Sequence, residues 1–407
     1  MSPTIFISAG EASGEHYGAL LAAALTRQLS SQGKTAKLFG MGGDRMAAAG
    51  VDRIVRSEDM AVMGLTEVVR HLPRIYGEFR KLKKAIRARR PQVAVLIAFP
   101  EIHFRLAREF HRLGVPVIFF VSPQLWAWKK HRIKLVQKFV SKMLVIFPFE
   151  EAFYRENGVQ AEFVGHPLAE LPLPSISRQQ FAMDNHLDPA STWIGLLPGS
   201  RPKEIRDHLP TMLDAARILA QRPGESEFIV PLAPTLSAQQ RAEVLKIVRE
   251  FGHGLTVRLV DDARDALFHA RASVVASGTA TVEAALIGNP FVVVYRVSAL
   301  TYAIARRVVK VPHVAMANLI AGKRLVPELI QNDFTASNIV EQIQLLLPDG
   351  AARESMMKEL GTIRGRLSLS HAQVRNGTQA AIDRVAAVTL EELGSVSPSA
   401  VELAVQP

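Results

Sequence analysis

The 407-residue chain reads as an α/β protein of two doubly wound, Rossmann-like domains, and three observations carry that reading. Short apolar, β-branched runs alternate with longer helical patterns. The alternation stops and restarts in mid-chain, and the length exceeds what one hydrophobic core usually organises. In the first half, residues 4–8, 93–97, 117–121 and 143–147 are short runs apolar at adjacent rather than alternate positions, broken only by Thr4 and Ser8, which predicts buried parallel strands. Helical stretches such as 16–29 and 102–113 lie between them. From about residue 185 the pattern repeats, with strands expected at 194–197, 228–231, 255–259, 273–276 and 291–295. Pro167, Pro172, Pro174, Ser175 and Ser177 interrupt both periodicities and mark the junction. The expected organisation is a first domain over 1–170, a second over 186–350, helices over 351–393 and a frayed tail over 394–407. No strand follows those last helices, so they are expected to pack across both domains or onto a partner.

Composition narrows the class. Hydrophobic residues make up 48% and charged residues 21%, ordinary for a globular enzyme. With no cysteine, disulfides, thiolate zinc sites and cysteine nucleophiles are excluded. Met1-Ser2-Pro3-Thr4 runs directly into Ile5-Phe6-Ile7, without the basic start and long apolar run of a signal peptide. No apolar stretch reaches the length of about 18 residues needed to span a bilayer, so a cytoplasmic protein is expected. The net charge is +11, with basic clusters at 80–84, 129–134 and 306–310. Anionic lipid or a phosphorylated substrate fits this charge better than nucleic acid, for which no zinc finger, aromatic RNA-binding signature or basic tail is present.

Candidate sites sit where strands are expected to end. Ser8-Ala9-Gly10-Glu11-Ala12-Ser13-Gly14-Glu15 follows the first strand and opens a helix. A connecting βα turn has the same composition, but Glu11 and Glu15 suit hydrogen bonds to hydroxyls better than a phosphate cradle. Leu197-Pro198-Gly199-Ser200-Arg201 and Ser277-Gly278-Thr279-Ala280-Thr281-Val282-Glu283 are two further strand ends with small-residue turns. Helix-start N–H groups and hydroxyls there suit a diphosphate, Arg201 adds a forked cation, and Glu283 is placed to accept from ribose hydroxyls. A first-turn acid favoured by the helix dipole explains Glu283 equally well on its own. Trp126 and Trp128 precede Lys129 and Lys130, which brings the indoles near the surface. Residues 63–75, from Met63 through Val68, Leu72 and Ile75, interleave apolar with basic residues, as a membrane-surface or acyl-binding segment does; an ordinary amphipathic helix facing the core accounts for the pattern slightly better, and Pro73 is expected to split it.

Several alternatives are excluded by spacing. Gly40-Met41-Gly42-Gly43-Asp44-Arg45 has Arg45 where a dinucleotide fingerprint needs its last glycine, and Ala317 and Arg324 spoil a P-loop ending at Gly322-Lys323. None of the 12 histidines forms a zinc-protease helix, and Gly199-Ser200-Arg201 lacks the flanking glycine of an esterase elbow.

Taken in order, these motifs resemble lipid-A-disaccharide synthases. The resemblance rests on the 8–15 turn, Gly40-Met41-Gly42-Gly43, Met63-Gly64-Leu65, Val121-Ser122-Pro123 with Trp126-Ala127-Trp128, and Pro148-Phe149-Glu150. Gly165-His166-Pro167, Leu197-Pro198-Gly199-Ser200-Arg201, Ser277-Gly278-Thr279-Ala280 with Glu283, and Asn318-Leu319 continue it, so that it spans about residues 3–385. The resemblance implies a GT-B fold whose two domains face across a cleft, the second holding the nucleotide. It implies as well that the last helices are expected to cross back or to be exchanged between the subunits of a homodimer. It also implies transfer of 2,3-diacylglucosamine from UDP-2,3-diacylglucosamine to 2,3-diacylglucosamine 1-phosphate, with inversion, a β-1,6 linkage, UDP released and no metal or organic cofactor. Gly199, Ser200, Arg201, Ser277, Gly278, Thr279, Glu283 and Asn318 fall on its nucleotide motifs. Glu11, Ser13, Gly14, Met63, Trp126 and Trp128 are the expected substrate contacts. Such enzymes work at the inner face of the cytoplasmic membrane, as peripheral proteins.

One position departs from the family pattern. An aspartate followed by x-Pro-Glu/Asp is expected after the strand at 93–97, and the chain reads Ala98-Phe99-Pro100-Glu101. An inverting transferase needs a carboxylate to take the acceptor hydroxyl's proton, and alanine has none. The favoured reading is a variant with its base removed and its binding intact. Glu101 or Glu15 taking over, or an orienting role for the aspartate, are the alternatives. A UDP-sugar 2-epimerase-like enzyme and a non-catalytic UDP-lipid binder are the competing functions.

Overall fold

The computed structural model describes residues 2–60, 65–222, 226–308, 311–369 and 380–395. The chain divides into two units, Met1–Glu170 with Leu367–Pro407, and Leu171–Arg366.

In the first unit, seven strands form a wholly parallel sheet: β1 (Thr4–Ala9), β2 (Lys37–Gly42), β3 (Asp52–Arg56), β4 (Val93–Ile97), β5 (Val117–Phe120), β6 (Lys142–Val145) and β7 (Ala161–Phe163). Their order is β3-β2-β1-β4-β5-β6-β7. The chain builds β2 and β3 on one side of β1 and then returns to lay β4 on the other. Ala9 therefore pairs with Ile97 at the reversal of strand order, and the turns leaving β1 and β4 lie side by side. An open α/β sheet leaves its ligand crevice at that point.

Side-chain alternation splits the core between two faces. Phe6, Phe39, Leu96, Phe119 and Met143 gather on one face with Leu82, Leu106 and Phe110 from helices. The opposite face is met by the helix Ala12–Ser30 and by the last described helix, Ala380–Ser395, which pack on each other and on β4. Ala381, Ile382, Val385, Ala386 and Val388 of that last helix are buried, each large aliphatic contributing about 1.5–3 kcal/mol. Its start is tied down by the Ala381 N–H donating to the Glu170 carboxylate at 2.6 Å, and Arg384 reaches Glu162.

The second unit repeats the plan with six parallel strands: β8 (Thr192–Leu197), β9 (Ser226–Pro231), β10 (Val257–Val260), β11 (Ala272–Ala276), β12 (Phe291–Tyr295) and β13 (Glu328–Ile330). They run in the order β10-β9-β8-β11-β12-β13. Leu197 pairs with Val275, so its reversal brings the turns after β8 and β11 together.

Some sequence expectations need correction. β5 ends at Phe120 because Val121 takes a φ of 61°, and β6 stops at Val145. β10 begins only at Val257. β2, β3, β7 and β13 were not among the expected strands; β2 is interrupted by Gly40, and the other three are edge strands of three to five residues, too short to show a period. Pro73 does not split its segment: one helix, Leu65–Arg89, runs through it. The proline removes one helical hydrogen bond, and the apolar anchors Leu82 and Ile86 hold the following turns in register.

Candidate functional site

The crevice of the first unit is lined by backbone that side chains rarely adopt. Ala98 and Phe99, directly after β4, have φ of 51° and 48°, in the left-handed region. Each such residue costs of order 1–3 kcal/mol and persists only where its surroundings hold it. His103, fully buried on the helix Pro100–Arg112, supplies one restraint. Its Nδ1–H donates to the Ala98 carbonyl at 2.6 Å, and the Ser8 hydroxyl, at the end of β1, lies 2.9 Å from Nε2. A carbonyl only accepts, so the proton sits on Nδ1 and Ser8 donates to Nε2. Burial lowers the His103 pKa to about 4, so the ring is neutral. The Phe99 ring supplies the other restraint by lying against Gly10, where a Cβ would come within 2.1 Å of the ring. Gly10→Ala is therefore expected to cost about 1–3 kcal/mol by displacing the ring, measured as a drop in thermal midpoint.

The two carboxylates that were the alternative to a missing base are already engaged. Glu101 takes Lys129 at 3.1 Å and Arg132 at 2.6 Å. Burial opposes its ionisation, but these two cations outweigh burial and hold its carboxyl below the usual range. Glu15 accepts the Met46 N–H at 2.9 Å, which ties the first helix to the short helix Asp44–Ala48 that follows β2. Gly14 is packed against Ile97 and Ala9. Glu11 and Ser13 are exposed on this turn and remain open to a ligand. Met63 lies outside the described residues.

The tryptophan stretch is organised by a residue of the Pro148-Phe149-Glu150 motif to which the sequence alone assigns no role. Glu150, on the helix Pro148–Glu156, is 2% exposed, and its Oε1 accepts from the Ser122 hydroxyl at 2.6 Å and the Trp126 indole N–H at 2.9 Å. One turn on, the Tyr154 hydroxyl donates to the Pro123 carbonyl at 3.0 Å. Burial pushes the Glu150 carboxyl up to about 7, although hydrogen bonds from Ser122, Trp126 and the backbone pull it down. Trp126 is half-buried, edge-on to Phe149, whereas Trp128 is 43% exposed with the Lys129 ammonium 3.8 Å from its ring centre.

In the second unit, both turns at the reversal are glycine-dependent. Gly199 has φ 115°, and a Cβ there would lie 2.5 Å from the Glu204 carboxylate. Ser200 is exposed, and Arg201 is half-exposed, with its Nη1 donating to Glu204 Oε1 at 3.0 Å. Across the reversal Gly278, φ 152°, caps the helix Thr279–Ile287 and has no atom within 4 Å of where a Cβ would stand. That open space adjoins the exposed Thr279, while the Thr281 hydroxyl turns inward to the Gly278 carbonyl at 2.7 Å. The Glu283 carboxyl is held above the usual range, chiefly by burial; Arg264 opposes this and Asp262 reinforces it.

Asn318 is not an open contact. It is fully buried; its Oδ1 accepts the N–H groups of Leu325 and Val326 at 2.7 and 2.8 Å. Its Nδ2 donates to the Val326 carbonyl at 3.0 Å and to Glu328 at 2.8 Å. Glu328 in turn accepts the N–H groups of Val314 and Ala315, and Ser277 donates to the Val314 carbonyl at 3.3 Å. Asn318 thus holds the loop on which Ser277 rests.

The sequence pattern that defines the family described as lipid-A-disaccharide synthetase matches residues 5–381. A lipid-A-disaccharide synthase from Acidobacterium capsulatum is 61% identical over 376 residues, covering 90% of this chain and 92% of the relative. Among solved structures, the calicheamicin glycosyltransferase CalG4 superposes with a TM-score of 0.58 at 16% identity, covering 98% of this chain and all of that one. A UDP-GlcNAc 2-epimerase from Neisseria meningitidis does so with a TM-score of 0.60 at 13% identity, covering 96% and 100%. The fold is therefore of the GT-B type, and fold alone does not separate transferase from epimerase. Identity over nearly the whole length does, and it sets the epimerase reading aside: the chain belongs to the lipid-A-disaccharide synthase family of hexosyltransferases.

Proposed function

We propose that the chain binds UDP-2,3-diacylglucosamine at the ends of β8 and β11 and 2,3-diacylglucosamine 1-phosphate in the first unit, and that Ala98 leaves their joining slow or absent. The observation that carries the nucleotide half is the pairing of two glycine turns at one reversal of strand order, with Arg201 on one and an open helix start on the other. In the transfer, the acceptor's 6-hydroxyl attacks the anomeric carbon as its bond to the UDP β-phosphate oxygen breaks. The charge left on the diphosphate is met by the Arg201 guanidinium and the first N–H groups of the helix Thr279–Ile287. Glu283 accepts hydrogen bonds from the ribose. The proton of the attacking hydroxyl has no acceptor at residue 98, because a methyl group stands where the family carries a carboxylate.

Trp126 and Trp128 supply apolar surface for the acyl chains. We further propose a peripheral protein at the inner face of the cytoplasmic membrane, supported by the +11 charge; among the described residues no helix is long and apolar enough to cross a membrane. A homodimer is part of the same reading, and sedimentation of the full chain tests it.

Calorimetry with UDP tests the nucleotide site. Arg201→Ala is expected to weaken UDP binding by about 10- to 100-fold, the worth of a hydrogen bond to a charged group. Unchanged affinity would remove Arg201 from the site. Full turnover of both lipid substrates by the chain as it stands would overturn the reading of Ala98.

A further inference from the structure

Each unit carries a fully buried histidine in the same geometric position relative to its crevice. His103 donates from Nδ1 to the carbonyl of Ala98, the first residue after β4, and its Nε2 reaches Ser8 on the neighbouring β1. His208, on the helix Pro202–Ala220, lies 2.7 Å through Nδ1 from the carbonyl of Pro198, the first residue after β8. Its Nε2 lies 3.1 Å from the N–H of Arg296, the first residue after β12, and 3.3 Å from that residue's carbonyl. With the proton committed to the Pro198 carbonyl, Nε2 accepts the Arg296 N–H. Both histidines are 0% exposed. The stretches around them share no sequence pattern, and the two histidines stand at different distances from their turns, so this is one bond reached by two routes.

The consequence follows from peptide planarity. In a trans peptide the carbonyl of one residue and the N–H of the next point in opposite directions within one rigid plane, and the structure contains no cis peptide among the described residues. A histidine that draws the Pro198 carbonyl into the core therefore turns the Gly199 N–H away from it. The same holds for the Ala98 carbonyl and the Phe99 N–H. Among the described residues, neither of these two N–H groups has a protein acceptor. Both are free donors beside a crevice, where a ligand oxygen can take them.

We propose that His208 and His103 are positioning residues, His208 aiming the Gly199 N–H and the Ser200-Arg201 turn at the diphosphate, and His103 aiming the Phe99 N–H at a substrate oxygen in the first unit. The diphosphate half rests on the proposed nucleotide site. Neither ring touches substrate, and each acts through the peptide plane that it holds.

The test uses the full chain with His208→Phe, which keeps ring volume and loses both hydrogen bonds, and His208→Asn, which keeps a donor near the Nδ1 position. His103→Phe and His103→Asn are the matched pair. Expected for His208→Phe are UDP affinity reduced on the order of tenfold and faster amide exchange at Arg296, whose N–H loses its acceptor, with Ala98, whose N–H donates to the Phe120 carbonyl, exchanging as in the parent. His208→Asn should recover most of the UDP affinity. His103→Phe should reverse the exchange pattern and leave UDP affinity within about twofold of the parent, a separation that general destabilisation does not produce. Parental UDP affinity in His208→Phe, or equal loss in both phenylalanine variants, overturns the proposal. Should the parent itself not bind UDP, the nucleotide reading falls. The exchange arms still decide the rest: local loss at one turn supports the pinning, and unchanged exchange at both sinks it.

Discussion

Replacing Ala98 by aspartate is expected to raise UDP release from the two lipid substrates by about 10²–10⁴-fold, the range typical of a positioned general base, while leaving UDP affinity unchanged. The chemistry asks only for a carboxylate beside the attacking hydroxyl, and the backbone is already shaped to carry one. At φ 51° residue 98 lies in the left-handed region, where aspartate and asparagine are several-fold enriched because their short polar side chains bond locally. Alanine gains nothing there in return for the strain. His103 grips the carbonyl of residue 98 and not its side chain, so the grip survives the substitution. Ala98→Asp should therefore melt no lower than the parent, which makes a rise in rate readable as chemistry rather than as rescued folding. Steady-state kinetics with both lipids and a thermal melt of the same preparations decide it. A revertant no faster than the parent would show that residue 98 is not the base position, and Glu101, held in two ion pairs, would then need its own explanation.

What was legible in the sequence was whatever depends on neighbours along the chain. β1, β4, β8, β11 and β12 are predominantly apolar runs between turn residues, and they are the strands that meet or adjoin at the two reversals. The glycine turns were legible for the same reason, since Gly199 and Gly278 are required by their own φ angles. The residues that hold those turns were not. His103 is bonded to Ser8, 95 residues away, and His208 to Arg296, 88 residues away; each looks like one more polar residue in a helix. Glu150 reads as a helix-start acid in Pro148-Phe149-Glu150, and only the fold brings it the Trp126 indole. Asn318 shows the converse. A motif residue that looked like a ligand contact has all its polar atoms spent on Leu325, Val326 and Glu328. The destination of the last helix was also hidden, because Ala381, Ile382 and Val385 are an unremarkable apolar stripe until Glu170 and Glu162 are seen beside them.

Glu150→Gln is expected to stabilise the chain at pH 8 by up to about 3 kcal/mol and to flatten its pH dependence. The folded chain holds the Glu150 proton more tightly than the unfolded chain does, with a pKa of about 7 against an ordinary 4.5, because burial penalises the charged form more than Ser122, Trp126 and the backbone favour it. Its contribution to stability is thus full below about pH 4.5 and is lost as pH rises through about 7. Between those two values each step of one in pH removes roughly 1.4 kcal/mol. Glutamine is neutral throughout, and its Oε1 still accepts from Ser122 and Trp126. It gives up the long 3.3 Å bond from the Phe147 N–H and the backbone hydrogen bond at Ile146. Urea midpoints at pH 5.5 and 8 should therefore diverge for the parent and coincide for the variant, apart from effects common to both chains. A parent and variant with the same pH dependence would mean that Glu150 is already ionised in the fold at pH 5.5. The indole of Trp126 would then be held by a full charge, and Glu150→Gln should loosen the tryptophan loop rather than relieve it, with the KM for the acylated substrates rising at every pH.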